Sequence, residues 1–204
     1  MSDPIDFYFA CVSPWSYLAV DELKRIADTH ERAIAFKPIN VGRSWAETGS
    51  GQPVGDRPQV MQDYRLIELP RWATWRDTKL NSHPKHFPVP FYLSSNVIIA
   101  ARQQGTDVYA LTRALMRGCW VDELNISDAD TIAKIADGVG LDGTALLAAA
   151  EAPAVADEMS ANTDEALAAG AWSVPSIVVD GELFFGQDRL EMIAWRLEQL
   201  PART

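Results

Sequence analysis

The order of the hydrophobic patterns along this 204-residue chain constrains its fold more than any other feature. A short apolar run over residues 5–9 predicts a buried strand, and apolar residues at spacings of three and four from Pro14 to about His30 predict an amphipathic helix. Residues 33–39 alternate in polarity, as a second strand does. Because a single helix joins the two predicted strands, we expect a parallel β-α-β unit with a right-handed crossover.

The C-terminal end of the chain has a different pattern. A β-branched run over residues 176–179, the turn dipeptide Asp-Gly and an apolar run over residues 183–185 predict a β-hairpin, and a final helix should follow from Gln187 to about Leu200. The composition between the two ends predicts helices almost throughout, over residues 95–104, 108–123, 128–139, 143–150 and 152–169. A β-α-β unit, a long helical stretch and a β-β-α unit together predict the α/β class, in the form of a thioredoxin-like fold with a large all-helical insertion.

This order also suggests a division into domains. We expect residues 1–42 and 171–204 to form a discontinuous thioredoxin-like domain, and residues 43–170 to form a helical insertion domain. Residues 46–58 are rich in glycine and proline and predict a mobile loop. Pro70 should break or restart the helical segment that comes after this loop, because proline removes a backbone hydrogen bond from a helix interior.

Composition and charge exclude several classes of protein. The formal net charge of −10 argues against a nucleic-acid or anionic-membrane partner, and no apolar run approaches the roughly 20 residues that a membrane span requires. The two cysteines, Cys11 and Cys119, are far apart in sequence and suggest free thiols in a reducing compartment. We therefore expect a soluble, cytoplasmic protein with a full core, since 48% of its residues are hydrophobic.

The most informative short motif is Ser-Pro-Trp-Ser at residues 13–16, directly after the first predicted strand. A helix start offers unpaired backbone N–H groups and a partial positive charge, which stabilise an anion such as a thiolate. Thioredoxin-like oxidoreductases place Cys-x-x-Cys at this corner, so the two serines exclude dithiol chemistry there. The Ser13 hydroxyl can donate a hydrogen bond to a thiolate that a ligand brings, or Ser13 can simply be the N-cap ahead of Pro14.

Two further motifs are expected close to that helix start. Val174-Pro175 enters the predicted hairpin, where a cis peptide bond is one possibility, and in a thioredoxin architecture the residue before this proline offers its backbone to a peptide ligand. Gly186, Gln187 and Asp188 open the last helix. Asp188 can be an ordinary acid of a first helical turn, or it can receive the ammonium group of a ligand.

These motifs carry a resemblance to a known family. The stretches "DFYFACVSPWSYLA", "FKPINVGRSWAETG", "LPRWA", "HPKHFPVP" and "WSVPSIVVDGELFFGQDRL" together resemble the 2-hydroxychromene-2-carboxylate isomerases. These enzymes are related to kappa-class glutathione transferases within the DsbA-like thioredoxin superfamily. The resemblance covers nearly the whole chain, and it implies a glutathione-dependent isomerase of aromatic catabolism that forms a homodimer.

The resemblance also implies roles for individual residues. Ser13 would position the glutathione sulfur, the backbone of Val174 beside Pro175 would pair with the cysteinyl moiety, and Gln187 and Asp188, after Gly186, would hold the γ-glutamyl end. The thiolate would add reversibly to the substrate, a small aromatic carboxylate.

On the substrate side, Arg43 and Lys85, with Arg71 as a further candidate, could meet the carboxylate of the substrate, and Trp45 stands about where the naphthalene-pathway members carry a substrate-binding lysine. Those members also carry Asp-Phe where this chain has Ala10-Cys11. An aromatic pocket could include Phe87, Trp72, Trp75 and Trp120, although tryptophans at such spacings are often core residues.

The sequence leaves alternatives open. A glutathione transferase or peroxidase would use the same corner of the fold, and so would a thiol-binding protein without catalytic activity. His83 and His86 lie three residues apart, but this stretch supplies too few ligands for a metal site, so none is expected. Cys11 is expected to be buried at the end of the first strand, although a redox role for it stays open.

Overall fold

The computed structural model describes residues 3–200, and its centre is a four-stranded mixed sheet. The strands are β1 (Ile5–Phe9), β2 (Ile34–Pro38), β3 (Ser176–Val179) and β4 (Glu182–Phe185), in the order β2-β1-β3-β4. Strand β1 is parallel to β2, with Phe7 opposite Phe36, and antiparallel to β3, with Phe7 opposite Ile177. Strand β3 is antiparallel to β4. The predicted β-α-β and β-β units and the thioredoxin-like fold class are confirmed.

Nine α-helices surround this sheet within residues 3–200. They are α1 (Pro14–Thr29), α2 (Val41–Thr48), α3 (Gln59–Trp75), α4 (Tyr92–Gln103), α5 (Tyr109–Trp120), α6 (Ala129–Gly138), α7 (Gly143–Ala149), α8 (Pro153–Ala168) and α9 (Leu190–Gln199). Seven of them, α2 to α8, lie between β2 and β3 in the chain, which agrees with the predicted helical insertion. The domain boundaries at residues 42 and 170 stay a prediction.

Helix α1 shows how the sequence produces the element that bears the Ser-Pro-Trp-Ser motif. Ser13 has an extended backbone and caps the helix, and Pro14 occupies the first helical position, where its missing N–H removes no helical hydrogen bond. The apolar side chains at spacings of three and four, including Leu23 and Ile26, are fully buried. The end of β1 and this cap therefore place the start of α1 at the C-terminal edge of the parallel strands.

Two local expectations were wrong. Helix α2 was not foreseen, and it includes residues 46–48 of the predicted mobile loop; Asn40 caps it by accepting the backbone N–H of Arg43 at 3.0 Å. Pro70 does not break α3, which continues to Trp75. Pro70 is exposed, so water can hydrogen-bond to the carbonyl group that loses its helical partner.

The hydrophobic core joins the sheet to the inserted helices. Leu23 of α1, Ile98 of α4, Leu111 of α5 and Ile193 of α9 belong to one cluster of buried side chains. Helix α4 packs against β2 and α8, and α5 packs against α1. The inserted helices therefore complete the core of the sheet.

Both cysteines lie in this core. Burial raises the pKa of Cys11 to about 12 and that of Cys119 to about 12. Among the described residues, none of the helices combines the length and the hydrophobicity that crossing a membrane requires.

Candidate functional site

A cavity of about 570 Å³ lies where the start of α1, the β3–β4 hairpin and α3 meet. Its first wall comes from the start of α1 and from the segments on either side of the hairpin; its residues are Trp15, Val174, Pro175, Phe185, Gly186, Gln187 and Asp188. Its second wall, which we call the α3 wall, consists of Arg57, Val60, Met61, Tyr64, Arg65, Glu68 and Trp72. Five of the predicted glutathione-binding residues thus line a single cavity, together with an α3 wall that the sequence did not indicate.

Ser13 is not among the residues that line this cavity, but it lies two residues before Trp15, which does line it. Its Oγ accepts the backbone N–H of Ser16 at 3.2 Å, so Ser13 is indeed a helix cap. Capping uses a lone pair of the hydroxyl oxygen and leaves the hydroxyl hydrogen available. Within residues 3–200 that hydrogen is donated to no acceptor, so the capping role and the thiolate-binding role are compatible.

The Val174-Pro175 segment presents a free peptide group to the cavity. The Val174–Pro175 peptide bond is cis. The backbone N–H and C=O of Val174 form no hydrogen bond with the described part of the chain. The Pro175 carbonyl, in contrast, accepts the Gly186 N–H at 3.0 Å and so ties this segment to the end of the hairpin. Val174 can therefore pair with the backbone of a bound peptide.

Gly186, Gln187 and Asp188 form a tight turn at the end of β4. Gly186 has a φ of 104°, and a Cβ atom at this position would lie 2.3 Å from Oδ1 of Asp188, so only glycine fits there. The Asp188 carboxylate is half exposed and lies 3.3 Å from Nη2 of Arg189. Gln187 is buried, and its Oε1 accepts a hydrogen bond from Arg76 Nε at 3.3 Å.

Of the predicted substrate residues, Arg43 and Lys85 do not line the cavity. The guanidinium group of Arg43 forms an ion pair with Glu47 of the same helix at 2.6 Å and another with Asp164 at 2.5 Å, and the second pair joins α2 to α8. These hydrogen bonds raise the pKa of Arg43 above its ordinary value. Lys85 is exposed on the surface. Neither side chain faces the residues that would hold glutathione.

Trp45 and Phe87 lie one layer behind the α3 wall. Trp45 donates its Nε1–H to Ser173 Oγ at 3.1 Å, and its ring lies 5.7 Å from the guanidinium carbon of Arg57. Phe87 lies 5.1 Å from the guanidinium carbon of Arg65. These two aromatic side chains therefore support arginines that line the cavity and do not line it themselves.

The predicted aromatic pocket is only partly assembled. Trp72 lines the cavity, and its Nε1–H is donated to Glu68 Oε2 at 3.0 Å. Trp75 is 72% exposed, whereas Trp120 is fully buried against Phe87, with ring centroids 4.9 Å apart. Trp15, Tyr64 and Phe185 supply the other aromatic side chains of the cavity.

The two arginines of the α3 wall are the site residues that sequence analysis missed. Burial lowers the pKa of Arg57, and burial followed by the charge of Arg57 lowers the pKa of Arg65 to about 10. Both side chains remain positively charged at neutral pH. Their positions 57 and 65 follow no motif, so the sequence alone carried no signal for them. Arg71, the further candidate, has an exposed side chain that pairs with Glu68 and is not among the cavity-lining residues.

The described residues contain no cluster of three or more His, Cys, Asp and Glu side chains that could hold a metal ion. The titratable and hydrogen-bonding groups of the cavity instead suit an organic ligand. One wall offers a carboxylate and a free peptide group, the other offers two guanidinium groups, and apolar side chains lie between them.

Comparison with known proteins agrees with this geometry. A curated 2-hydroxychromene-2-carboxylate isomerase from Sphingobium xenophagum is 28% identical, over 95% of this chain and 97% of its own length. A protein of the same name from Pseudomonas putida is 26% identical, over 93% of this chain and 91% of its own. The resemblance that the motifs carried is thus confirmed.

Solved structures show the same fold. A 2-hydroxychromene-2-carboxylate isomerase has a TM-score of 0.80 at 24% identity and covers 96% of this chain and 94% of its own. The cytosolic disulfide reductase DsbM from Pseudomonas aeruginosa, solved with GSH, has a TM-score of 0.68 at 12% identity, over 97% of this chain and 100% of its own. The family model for a DSBA-like thioredoxin domain matches residues 4–198. The chain therefore belongs to the DSBA-like thioredoxin family, with Ser13 and Ser16 in place of a cysteine pair.

Proposed function

We propose that this protein is a glutathione-dependent isomerase of aromatic degradation, which acts on a small aromatic carboxylate such as 2-hydroxychromene-2-carboxylate. The names of its relatives support an isomerase of this kind. The observation that carries the glutathione part of the proposal is the free backbone of Val174, which lies in one cavity wall with the Asp188 carboxylate. A peptide with a free ammonium group is the ligand that this pair suits.

The residues of the first wall fit the chemical groups of glutathione. Asp188 can accept hydrogen bonds from the γ-glutamyl ammonium group, and the Val174 N–H and C=O can pair with the cysteinyl residue. The side-chain nitrogen of Gln187 donates to no residue in the described part of the chain and can bind a carboxylate. The start of α1, with the free hydroxyl hydrogen of Ser13, then lies where the sulfur would be held.

The chain's own groups would favour the charged form of the thiol. Bound glutathione would supply a nucleophilic thiolate that can add to an unsaturated substrate and leave again. In the first turn of α1, Pro14 has no N–H, and Ser16 and Tyr17 donate theirs to Ser13, which leaves the Trp15 N–H free among the described residues. The Ser13 hydroxyl, the Trp15 N–H and the helix dipole stabilise negative charge on the sulfur. Trp15, Phe185 and Met61 line the cavity with apolar surface and exclude water, which strengthens these interactions.

Glutathione binding is tested by titration calorimetry with the wild type and Asp188→Asn. We expect Asp188→Asn to weaken binding by about 1–2 kcal/mol, because a half-exposed charge-assisted hydrogen bond is lost. Asp130→Asn is the matched control, since Asp130 is also an acid of a first helical turn but lies far away on α6. Equal glutathione affinity in all three proteins would contradict the proposal that Asp188 binds the ammonium group of glutathione.

The activity itself is tested by product analysis with 2-hydroxychromene-2-carboxylate and a small, fixed amount of glutathione. An isomerase forms many equivalents of isomer and leaves the glutathione unchanged. A glutathione conjugate, or oxidised glutathione, would instead identify a transferase or peroxidase. Glutathione binding without turnover would identify a thiol-binding protein. The homodimer and the cytoplasmic location stay predictions, and sedimentation of the purified protein tests the first.

A further inference from the structure

Arg65 is a buried cation that pairs with no carboxylate in the described part of the chain. The residue is 8% exposed, and its guanidinium group forms no hydrogen bond within residues 3–200. Nη2 is fully enclosed, whereas Nε and Nη1 are not enclosed in this way and are the atoms that a ligand in the cavity can reach. Buried guanidinium groups are normally paired, because an unpaired buried donor loses the hydrogen bonds that water would supply.

The neighbours of Arg65 hold the cation but do not neutralise it. Its guanidinium carbon lies 5.1 Å from the ring centre of Phe87 and 5.7 Å from that of Trp120, distances typical of cation–π interactions. Glu68, a carboxylate on the same wall, is engaged by Arg71 and by Trp72 Nε1. The aromatic rings thus fix the position of the guanidinium group and leave its hydrogen-bond donors free.

Arg57 adds a second positive charge to the same wall. Its Nε donates to the backbone carbonyl of Gln52 at 3.0 Å, and among the residues described it has no carboxylate partner. Each positive charge makes the protonated form of the other arginine less favourable. This repulsion adds to the effect of burial, which is the main cause of the lowered pKa of Arg65. An anion bound between them would remove this repulsion and would satisfy the free donors of Arg65.

We propose that Arg65, assisted by Arg57, binds the carboxylate of the aromatic substrate at the α3 wall. This inference rests on the proposed function and names the residues that would select its substrate. The glutathione carboxylates are the other possible source of an anion, but the groups suited to glutathione, Val174 and Asp188, lie in the first wall. Next to Arg65 lie Met61 and Trp72, whose apolar surfaces suit a flat ring.

The test compares two unreactive ligands of the same shape, chromone-2-carboxylate and chromone-2-carboxamide, by titration calorimetry without glutathione. We expect the wild type to bind the carboxylate about 10- to 100-fold more tightly than the amide, the range for a charge-assisted hydrogen bond. Arg65→Met keeps an unbranched apolar stem without the charge and should remove this preference. Arg65→Lys should keep part of the preference for the carboxylate, and this retained preference would show that the cavity is intact. Arg117→Met is the control, because Arg117 is an exposed arginine of α5 that pairs with Asp122, just after the end of that helix.

Each outcome is decisive. A wild type that binds both ligands equally, or Arg65→Met that keeps the full preference, would overturn the proposal. A parallel titration with glutathione separates the two sources of carboxylate, since a loss of glutathione affinity in Arg65→Met equal to the loss for chromone-2-carboxylate would assign Arg65 to glutathione instead. Ligand binding is measured without turnover. The test of Arg65 therefore gives a result whether or not the protein proves to be an isomerase.

Discussion

At the scale of single residues, Ser13 has two roles that mutation can separate. Its oxygen caps α1, and its hydroxyl hydrogen remains available for a thiolate. Ser13→Ala removes both, whereas Ser13→Gly removes the hydroxyl but keeps most of the capping preference, since glycine at an N-cap costs only a few tenths of a kcal/mol.

We therefore expect both variants to raise the thiol pKa of bound glutathione by about one to two units, the equivalent of one hydrogen bond to a charged group. The unfolding free energy should fall by about 1 kcal/mol in Ser13→Ala and clearly less in Ser13→Gly. Thiolate absorbance against pH, together with urea titrations, gives both quantities. A thiol pKa that stays the same in both variants would leave Ser13 with the capping role alone.

Single residues also show where sequence analysis reached its limit. Val174, Gln187 and Asp188 could be placed near the start of α1 because each belongs to a local motif in a fold that fixes their relative positions. Arg57 and Arg65 could not be placed, because arginine side chains are usually solvated and only tertiary packing buries Arg65 and partly buries Arg57. The same holds for Arg43, whose ion pair with Asp164 depends on the packing of α2 against α8.

At the scale of elements, the strands and the long helices were predictable, because their hydrophobic periods of two and about 3.6 are regular. Helix α2 was missed because its eight residues are too few for a clear period and lead directly into the loop rich in glycine and proline. Helix α3 has apolar side chains all around it, including the exposed Val60 and Ile67, because one side contacts α1 and another borders the cavity. Its position could not be read from a single apolar face.

The proline within α3 gives a prediction at this scale. Pro70→Ala should increase the unfolding free energy by about 1–3 kcal/mol, because alanine restores a helical hydrogen bond that proline cannot form. Pro153→Ala is the matched control: Pro153 is also exposed in a helix but occupies the first turn of α8, where proline is tolerated, so little change is expected. Urea titration of the two variants measures both effects, and equal stabilities would show that α3 accommodates the proline without loss.

At the scale of the whole molecule, the shared core predicts cooperative unfolding. Leu111 belongs to the inserted helices and Leu23 to the thioredoxin-like segment, yet both are fully buried in the same cluster. Leu111→Ala and Leu23→Ala should each destabilise the protein by about 2–5 kcal/mol and shift a single transition seen by circular dichroism and by tryptophan fluorescence. Ile67→Ala, at an exposed position on α3, is the control and should change stability by less than about 0.5 kcal/mol.

Separate transitions for the two probes would instead support the division of the chain at residues 42 and 170 into units that fold independently. This experiment therefore tests the domain boundaries as well as the core. The sequence could suggest those boundaries from the change of pattern, but it could not show how the side chains of α4 and α5 pack on the sheet.

The burial of both cysteines should protect them from oxidation. Protein thiols can be capped by oxidised glutathione only as exposed thiolates, and Cys11 and Cys119 are neither exposed nor ionised near neutral pH. We expect the folded protein to resist S-glutathionylation. A thiol-alkylating reagent should label the cysteines only when the core opens, so the labelling rate measures how often the core opens. Two fast-reacting thiols in the native protein, detected by mass spectrometry, would contradict this. The folded protein would thus have no thiolate of its own to attack oxidised glutathione.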